Sequence, residues 1–438
     1  MRRELALVLG ARVTWLTAAV AALLVGHGLV LAVDLYTAGS RSALENTLMS
    51  REFDPLLGIV RPSVGGLYLA LSLFGPLIGA RTLAVEKDRR TFHARLLATG
   101  SASWFVARKW AAALAGALVP WTATVLALVV WRLLGGHLAL AETASALLGY
   151  VLYAAFVTGV GVVAAAFTRS FAQAATAALL AVAFTWAVDA AEGFSALAWL
   201  GTAASWSPTM HLRPFEQGTL DLGAIGWFAG ALGGLFALAC AGCRFDLHGP
   251  RRLAAIAAGA LALVVGCVAL RQIPRAWDVS ENRRHSLPPA AVNELKALGG
   301  PLIITANLDR EDSRRRQLET DTLAKVRLAR PDLRVRFPPD ERSAPAALEG
   351  GDRYGRITIQ LGARSSETTS TSRRELVTMI FELAGRPLPD WSQQDYRGYP
   401  LVIEGGRRTF VLVTCYIVLP VLFLAAGAVL TINRRKRT

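Results

Sequence analysis

Charge is scarce in this sequence. Only 18% of its 438 residues are charged, against roughly a quarter in an ordinary soluble domain. The shortage is local, because long segments carry almost none, and segments of that kind have lipid as their solvent. Cysteine is scarcer still. Cys240, Cys243, Cys267 and Cys415 lie in or beside apolar runs, which excludes a disulfide framework for the polar part of the chain. Cys240 and Cys243 form a CxxC with no second pair, so small-residue helix packing explains them better than zinc or redox chemistry. The six histidines include no HExxH and no i, i+4 pair, so no metal centre is expected. GxxxxGK[ST] is missing too, and without it the polypeptide has no P-loop to cradle nucleotide phosphates.

Apolar runs and arginine are what the sequence has in plenty. The net charge is +15, but the basic residues gather at the ends of apolar runs. They form no single stripe with interleaved aromatics, so they read as membrane orientation signals and no nucleic-acid partner is expected. About 20 residues suffice to cross roughly 30 Å of hydrocarbon. Eight such runs are read, at residues 13–33, 60–80, 110–133, 146–167, 172–188, 224–241, 253–270 and 409–432. MRRELALVLGAR precedes the first. No A-x-A-like site follows a short apolar core, so this segment reads as an amphipathic lead-in helix to a retained span.

Arg and Lys in the short loops set the orientation. The segments 81–109, Arg169, CRFDLHGPRR and NRRKRT fall on one side, and the basic-poor connections 137–142 and 189–221 on the other. Arg41, Arg51 and Arg61 dilute this bias in the first outer loop. The expectation is a bacterial inner-membrane protein with both termini cytoplasmic and residues 271–408 extracytoplasmic. In fold class it is an all-α polytopic membrane protein of about eight transmembrane helices, with an inserted small extracytoplasmic α/β domain.

Within the spans, Gly226, Gly230 and Gly234 recur every fourth residue. They offer a helix-packing strip to a neighbour in the bundle or to a second copy. Gly75-Pro76 predicts a kink in the second span. His27 has no acidic partner in its run, so it reads as a hydrogen-bonded bundle residue and not as a proton relay.

Residues 275–405 are rich in Arg, Asp and Glu. PAAVNELKAL, SRRRQLETDTLAKVRLAR and RRELVTMIFELAG read as helices, and PLIITANL, LRVRF and RITIQL as strands, giving a small α/β layer domain. Ser286 beside His285, with Ser365, Ser366, Thr368 and Thr369, supply hydroxyls without a GxSxG elbow or a catalytic pairing. They read as a solvated loop and cap. No catalytic residue and no cofactor is expected in this chain. Arg314 to Arg316 read as the exposed face of a helix.

EKDRRTFHARLLATGSASWFVARKW, residues 86–110, is under this orientation the longest cytoplasmic connection. Phe92 and Leu96 share a helical face, Lys87 and Arg90 point elsewhere, and Arg95 and Leu97 fall at the edges of the apolar stripe. ATGS breaks the pattern, and Ser101 or Ser103 is placed to cap the next helix. The order Arg81-x4-Glu86-x4-Thr91, Leu96-Leu97, a Ser-containing break and Arg108-Lys109 resembles the coupling region of ABC-2-type transporter permeases. Where that family commonly has a glycine before the Thr, this chain has Arg90. SPTMHLRPFEQGTLDLG, residues 207–223, is similar to the connection before that family's sixth span in its Ser-Pro, its aromatic and its Gly-x-Leu-Asp. DVSENRRHSLPPAAVNELKAL and ETTSTSRRELVTMIFELAG resemble segments of gliding-motility-type ABC auxiliary proteins, which are built as helix, outer domain, helix. The domain here is shorter than is usual for them.

These resemblances imply a permease domain over residues 1–245, then a seventh membrane helix and linker over 246–274. An auxiliary domain over 275–405 and an eighth helix with a basic tail over 406–438 complete the chain. They imply the permease subunit of an ABC transporter, with ATP bound and hydrolysed by a separate cytoplasmic ATPase and two permeases per two ATPases. The docking element would be Glu86, Arg89, Arg90, Thr91, Phe92, Leu96 and Leu97. In it Glu86, Arg89 and Arg90 fix register by ion pairs, while Phe92 and Leu96 fill a groove. The same likeness allows an alternative: a membrane anchor whose residues 275–405 recruit cell-envelope or gliding-motility components with no cargo crossing.

Overall fold

The computed structural model describes residues 2–45, 55–191, 206–273, 275–281, 283, 286–287, 289–309, 312, 314–315, 318–338, 354–387 and 400–435. Two compact units are present. One comprises residues 1–189, 202–279 and 395–438, and the second is built chiefly on 280–394.

Among the described residues, eight helices of the first unit are long and apolar enough to cross a membrane. They are Arg12–Leu44, Leu56–Asp88, Ala102–Leu133, Leu140–Phe167, Phe171–Asp189, Leu222–Cys243, Gly249–Arg271 and Gly406–Ile432, called the first to eighth spans below. The chain is a multi-pass membrane protein. Each expected run lies within one of these helices, and most helices overshoot their run, because hydropathy marks the lipid-facing stretch while capping sets the end. The third span begins eight residues before its run, where Ser101 Oγ accepts from the Trp104 amide at 3.4 Å.

The lead-in helix, Arg2–Leu9, runs alongside the start of the third span. Glu4 lies at Lys109, and a Cβ on Gly116 would stand 2.5 Å from Val8. Thr14 and Trp15 tie the first span back to the carbonyls of Val8 and Leu9 at 2.8 and 2.6 Å.

Small residues bring backbones together. Between the second and fourth spans, a Cβ on Gly79 would lie 2.1 Å from the Thr158 carbonyl oxygen, and one on Gly161 2.1 Å from that of Pro76. Pro76 itself sits inside the continuous helix Arg61–Asp88. Gly226, Gly230 and Gly234 receive the seventh span of the same chain: added Cβ atoms would meet Leu270, Gly266 and Leu263 at 2.4, 2.3 and 2.2 Å. The strip is therefore filled within the bundle.

The eighth span closes against the first. Arg408 donates to both oxygens of Asp34 at 3.0 and 3.1 Å, Arg41 pairs with Glu404, and His27 Nδ1 lies 2.7 Å from Tyr416 Oη. Upstream, the amides of Leu401 and Ile403 donate to Ser40 and Thr37 at 3.2 and 3.3 Å. The compact unit thus continues past residue 245 and takes in 400–405 and both later spans. β1 (Thr219–Asp221) pairs antiparallel with β2 (Ala276–Asp278), so the second unit starts at 280 instead of 275.

That unit is a four-stranded sheet in the order β4-β3-β5-β6, with β3 at Leu302–Ala306, β4 at Arg334–Arg336, β5 at Ile357–Leu361 and β6 at Arg364–Thr368. β3 and β4 are parallel and the other pairings antiparallel. Alternate residues Leu302, Ile304 and Ala306, and Ile357, Ile359 and Leu361, are buried, the period of a half-covered sheet. Helices Pro289–Ala297, Ala324–Ala329 and Arg373–Ala384 add Leu295, Val326, Ile380 and Phe381 to this core.

One feature differs from expectation. Ser365, Ser366 and Thr368, read as loop, form the edge strand β6. Leu361 faces Arg364 across the turn Gly362-Ala363, with Gly362 at φ +60, and an edge strand needs no hydrophobic alternation on its open face. The helix expected over 313–330 is helical at Arg314 and Arg315, π-helical over Leu318–Leu323 and α-helical over Ala324–Ala329. Arg314 pairs with Asp312 at 2.7 Å, and Arg315 stacks on Phe337 at 3.9 Å. His285 and Arg316 lie outside the described residues.

Candidate functional site

The charged connection folds as helix end, turn, short helix and break. The second span ends at Asp88. Its last carbonyls are closed by the Arg90 amide donating to Lys87 O at 3.0 Å and the Thr91 amide donating to Glu86 O at 2.9 Å. This is Schellman geometry. Arg90 takes φ +55 there, a conformation that favours glycine. The surface helix Phe92–Thr99 follows and stops at Gly100, φ +71.

Beneath the surface helix lies an ionic node. Lys109 of the third span reaches Glu4 Oε2 at 2.6 Å and pairs with Glu86. Arg95 of the surface helix also pairs with Glu86. The side chains of Lys109 and Glu86 are 2% and 5% exposed, so each depends on the other: an ion this deep costs several kcal/mol unless it is compensated. One node thus fastens four segments: the lead-in helix, the end of the second span, the surface helix and the start of the third span.

Lys87, on another side of the same helix, donates to the carbonyls of Ala165, Ala166 and Thr168 at 2.6, 2.8 and 2.8 Å. An ammonium there satisfies the free carbonyls that end the fourth span and opposes its dipole. Phe92 is buried edge-on against Phe105 and Phe245, each at 5.5 Å. The surface helix is therefore anchored on the second, third and fourth spans and on the segment after the sixth.

The expected docking residues divide accordingly. Glu86 and Phe92 point inward: Glu86 pairs with Lys109 and Arg95, and Phe92 packs against Phe105 and Phe245. The apolar stripe was read properly, but it faces Phe105 and Phe245. Leu96 is half-buried in the same cluster, and Thr91 is half-buried in the turn with Oγ1 3.5 Å from Glu86 O. Arg89 is exposed and borders a cavity. Arg90, His93, Ala94 and Leu97, the last 81% exposed, form the outward face. Glu4, Lys87, Arg95 and Phe245 were missed. For Glu4, Lys87 and Arg95 the signal was a charge at the rim of an apolar run, where an ionisable group requires a partner; Phe245 left no such trace.

A second polar cluster occupies the opposite end of the unit. Tyr150 donates to Glu216 at 2.5 Å, and Ser72 and Tyr153 hydroxyls lie 2.6 Å apart. Tyr68 contacts the Thr209 hydroxyl at 3.0 Å and stacks on Tyr153. Ser207, Pro208 and Asp221, from the stretch with the second family likeness, cap the helix Pro208–Glu216 and the sixth span. Within that helix His211 stacks on Trp227 at 4.3 Å, and burial pushes its pKa down to about 4. Burial raises that of Glu216.

No family model, curated protein or solved structure matches this chain.

Proposed function

We propose that this chain is the membrane subunit of an ATP-driven transport complex and receives mechanical input at its surface helix from a separate cytoplasmic ATPase. The Arg95–Glu86–Lys109–Glu4 node carries this reading. A helix held only by lipid would absorb a push by sliding. This one is pinned to the ends of two spans by charges that are costly to separate. Displacement of Phe92–Thr99 is passed on as a rigid-body shift between two packed states.

Arg90 and Leu97 present the docking face, while Glu86 and Phe92 act inside the chain as positioning residues. Both termini lie in the cytoplasm and residues 280–394 outside it, with two copies of this chain per pair of ATPases. ATP binds the partner.

Affinity purification from native membranes in mild detergent, with mass spectrometry of what co-purifies, tests the reading. A P-loop ATPase near stoichiometric amount is expected. Leu97→Asp removes it, whereas Arg95→Gln retains it but loses substrate-stimulated ATP hydrolysis. Recovery of envelope proteins bound through residues 280–394, with no ATPase, would overturn the proposal in favour of a membrane anchor.

A further inference from the structure

Beside the node a cavity of about 340 Å³ opens between the lead-in helix, the second span and Phe171 at the start of the fifth. Its volume is in the roughly 300–1,000 Å³ range of small-molecule sites. Its walls change character along its length. Leu77, Ile78, Arg81, Val85 and Arg89 follow one face of the second span, and Leu77 and Arg89 are about 18 Å apart at 1.5 Å per residue. The Leu77 end, closed by Leu7 and Val8, is apolar. The Arg89 end is charged.

That charge is unbalanced. Arg81, Arg89, Arg95 and Lys109 line the cavity against only Glu4 and Glu86, an excess of two positive charges. Arg95 and Lys109 are occupied by the two carboxylates. Arg81 and Arg89, both exposed, take part in none of the ion pairs among the described residues.

We infer that this cavity is a site for an anionic phospholipid. Its phosphate is held by Arg81 and Arg89, and an acyl chain lies toward Leu77 and Val8. Phosphatidylglycerol has both parts. Two guanidiniums match a phosphate geometrically as well as electrostatically, and the apolar end supplies what a free anion cannot use. The inference does not depend on the work done by the surface helix. It does place a lipid against the same Glu86 that holds Lys109.

The test uses the full chain purified in detergent and stripped of lipid, with binding read by native mass spectrometry. Dioleoyl-phosphatidylglycerol is expected to bind at least tenfold more tightly than dioleoyl-phosphatidylcholine. An Arg81→Gln/Arg89→Gln variant loses about twenty-five-fold, from roughly fivefold per interfacial cation. Leu77→Trp keeps every charge but fills the apolar end, and it weakens dioleoyl-phosphatidylglycerol while leaving glycerophosphate binding unchanged. Equal binding of the two lipids by the wild type overturns the inference. So does glycerophosphate binding as tightly as the lipid, or Leu77→Trp binding the lipid as the wild type does. Each of these outcomes can be read even if the double variant fails to fold.

Discussion

Arg90 closes the second span in a conformation built for glycine, so Arg90→Gly should tighten the turn that launches the surface helix. A side chain in the left-handed region costs roughly 1–2 kcal/mol. Glycine returns about 0.4–1 kcal/mol of that by its greater freedom in the unfolded chain. The net local gain is about 0.5–1 kcal/mol, a two- to fivefold slowing of exchange at the Thr91 amide that closes the turn onto Glu86. Hydrogen exchange with mass spectrometry over residues 86–91 reads this directly and needs no two-state unfolding. Arg90→Ala is the control: it removes the same charge but keeps a Cβ at φ +55, so its exchange should stay near that of the wild type. If alanine slows exchange as much as glycine, the guanidinium and not the backbone sets the stability of the turn, and the strain argument fails.

Four further outcomes follow from the packing. Lys109→Met removes the more deeply buried of the two cations on Glu86 and leaves it only Arg95, so it should cost about 3 kcal/mol, whereas adding Glu86→Gln recovers part of the loss; thermal unfolding of the two single variants and the double variant measures the coupling. Phe92→Ala should cost about 3–4 kcal/mol and show first as faster exchange across residues 92–99. Gly230→Leu puts a side chain where a Cβ already stands 2.3 Å from Gly266, so a disulfide engineered between the sixth and seventh spans should form far more slowly than without the substitution. His211 is held neutral with its pKa near 4 and regains a proton near 6.5 when unfolded. Its contribution is therefore complete above pH 6.5 and lost as pH falls toward 4, by about 3 kcal/mol. Glu216, raised by burial, slopes the opposite way, so the informative quantity is the difference between wild type and His211→Gln in denaturant titrations.

The spans were legible because hydrocarbon imposes a length and a composition that no local contact can override. Phe92 shows the limit of that legibility. Its place on an apolar stripe was evident from spacing, but spacing does not say which surface covers the stripe, and Phe245 lies more than 150 residues further along. The Glu86–Lys109 pair is hidden for a related reason: Lys109 stands just before the third run, and pairing across that distance leaves no periodic trace. β6 escaped because RSSET alternates no hydrophobic residues. The hairpin was nevertheless written in Leu361-Gly362-Ala363-Arg364, where glycine opens a two-residue turn. Spacing likewise left the neighbour of the glycine strip undecided, and the fold supplied it.

The clamp between the first and last spans has a consequence for how the protein is made. A ribosome delivers Asp34 and Arg41 hundreds of residues before Arg408 and Glu404 exist. Throughout that interval the first helix waits in the bilayer with its polar flank uncovered, while the whole of 280–394 is synthesised. A chain cut short anywhere in that insert can never supply the missing face. Assembly of the bundle is thereby made conditional on a finished polypeptide.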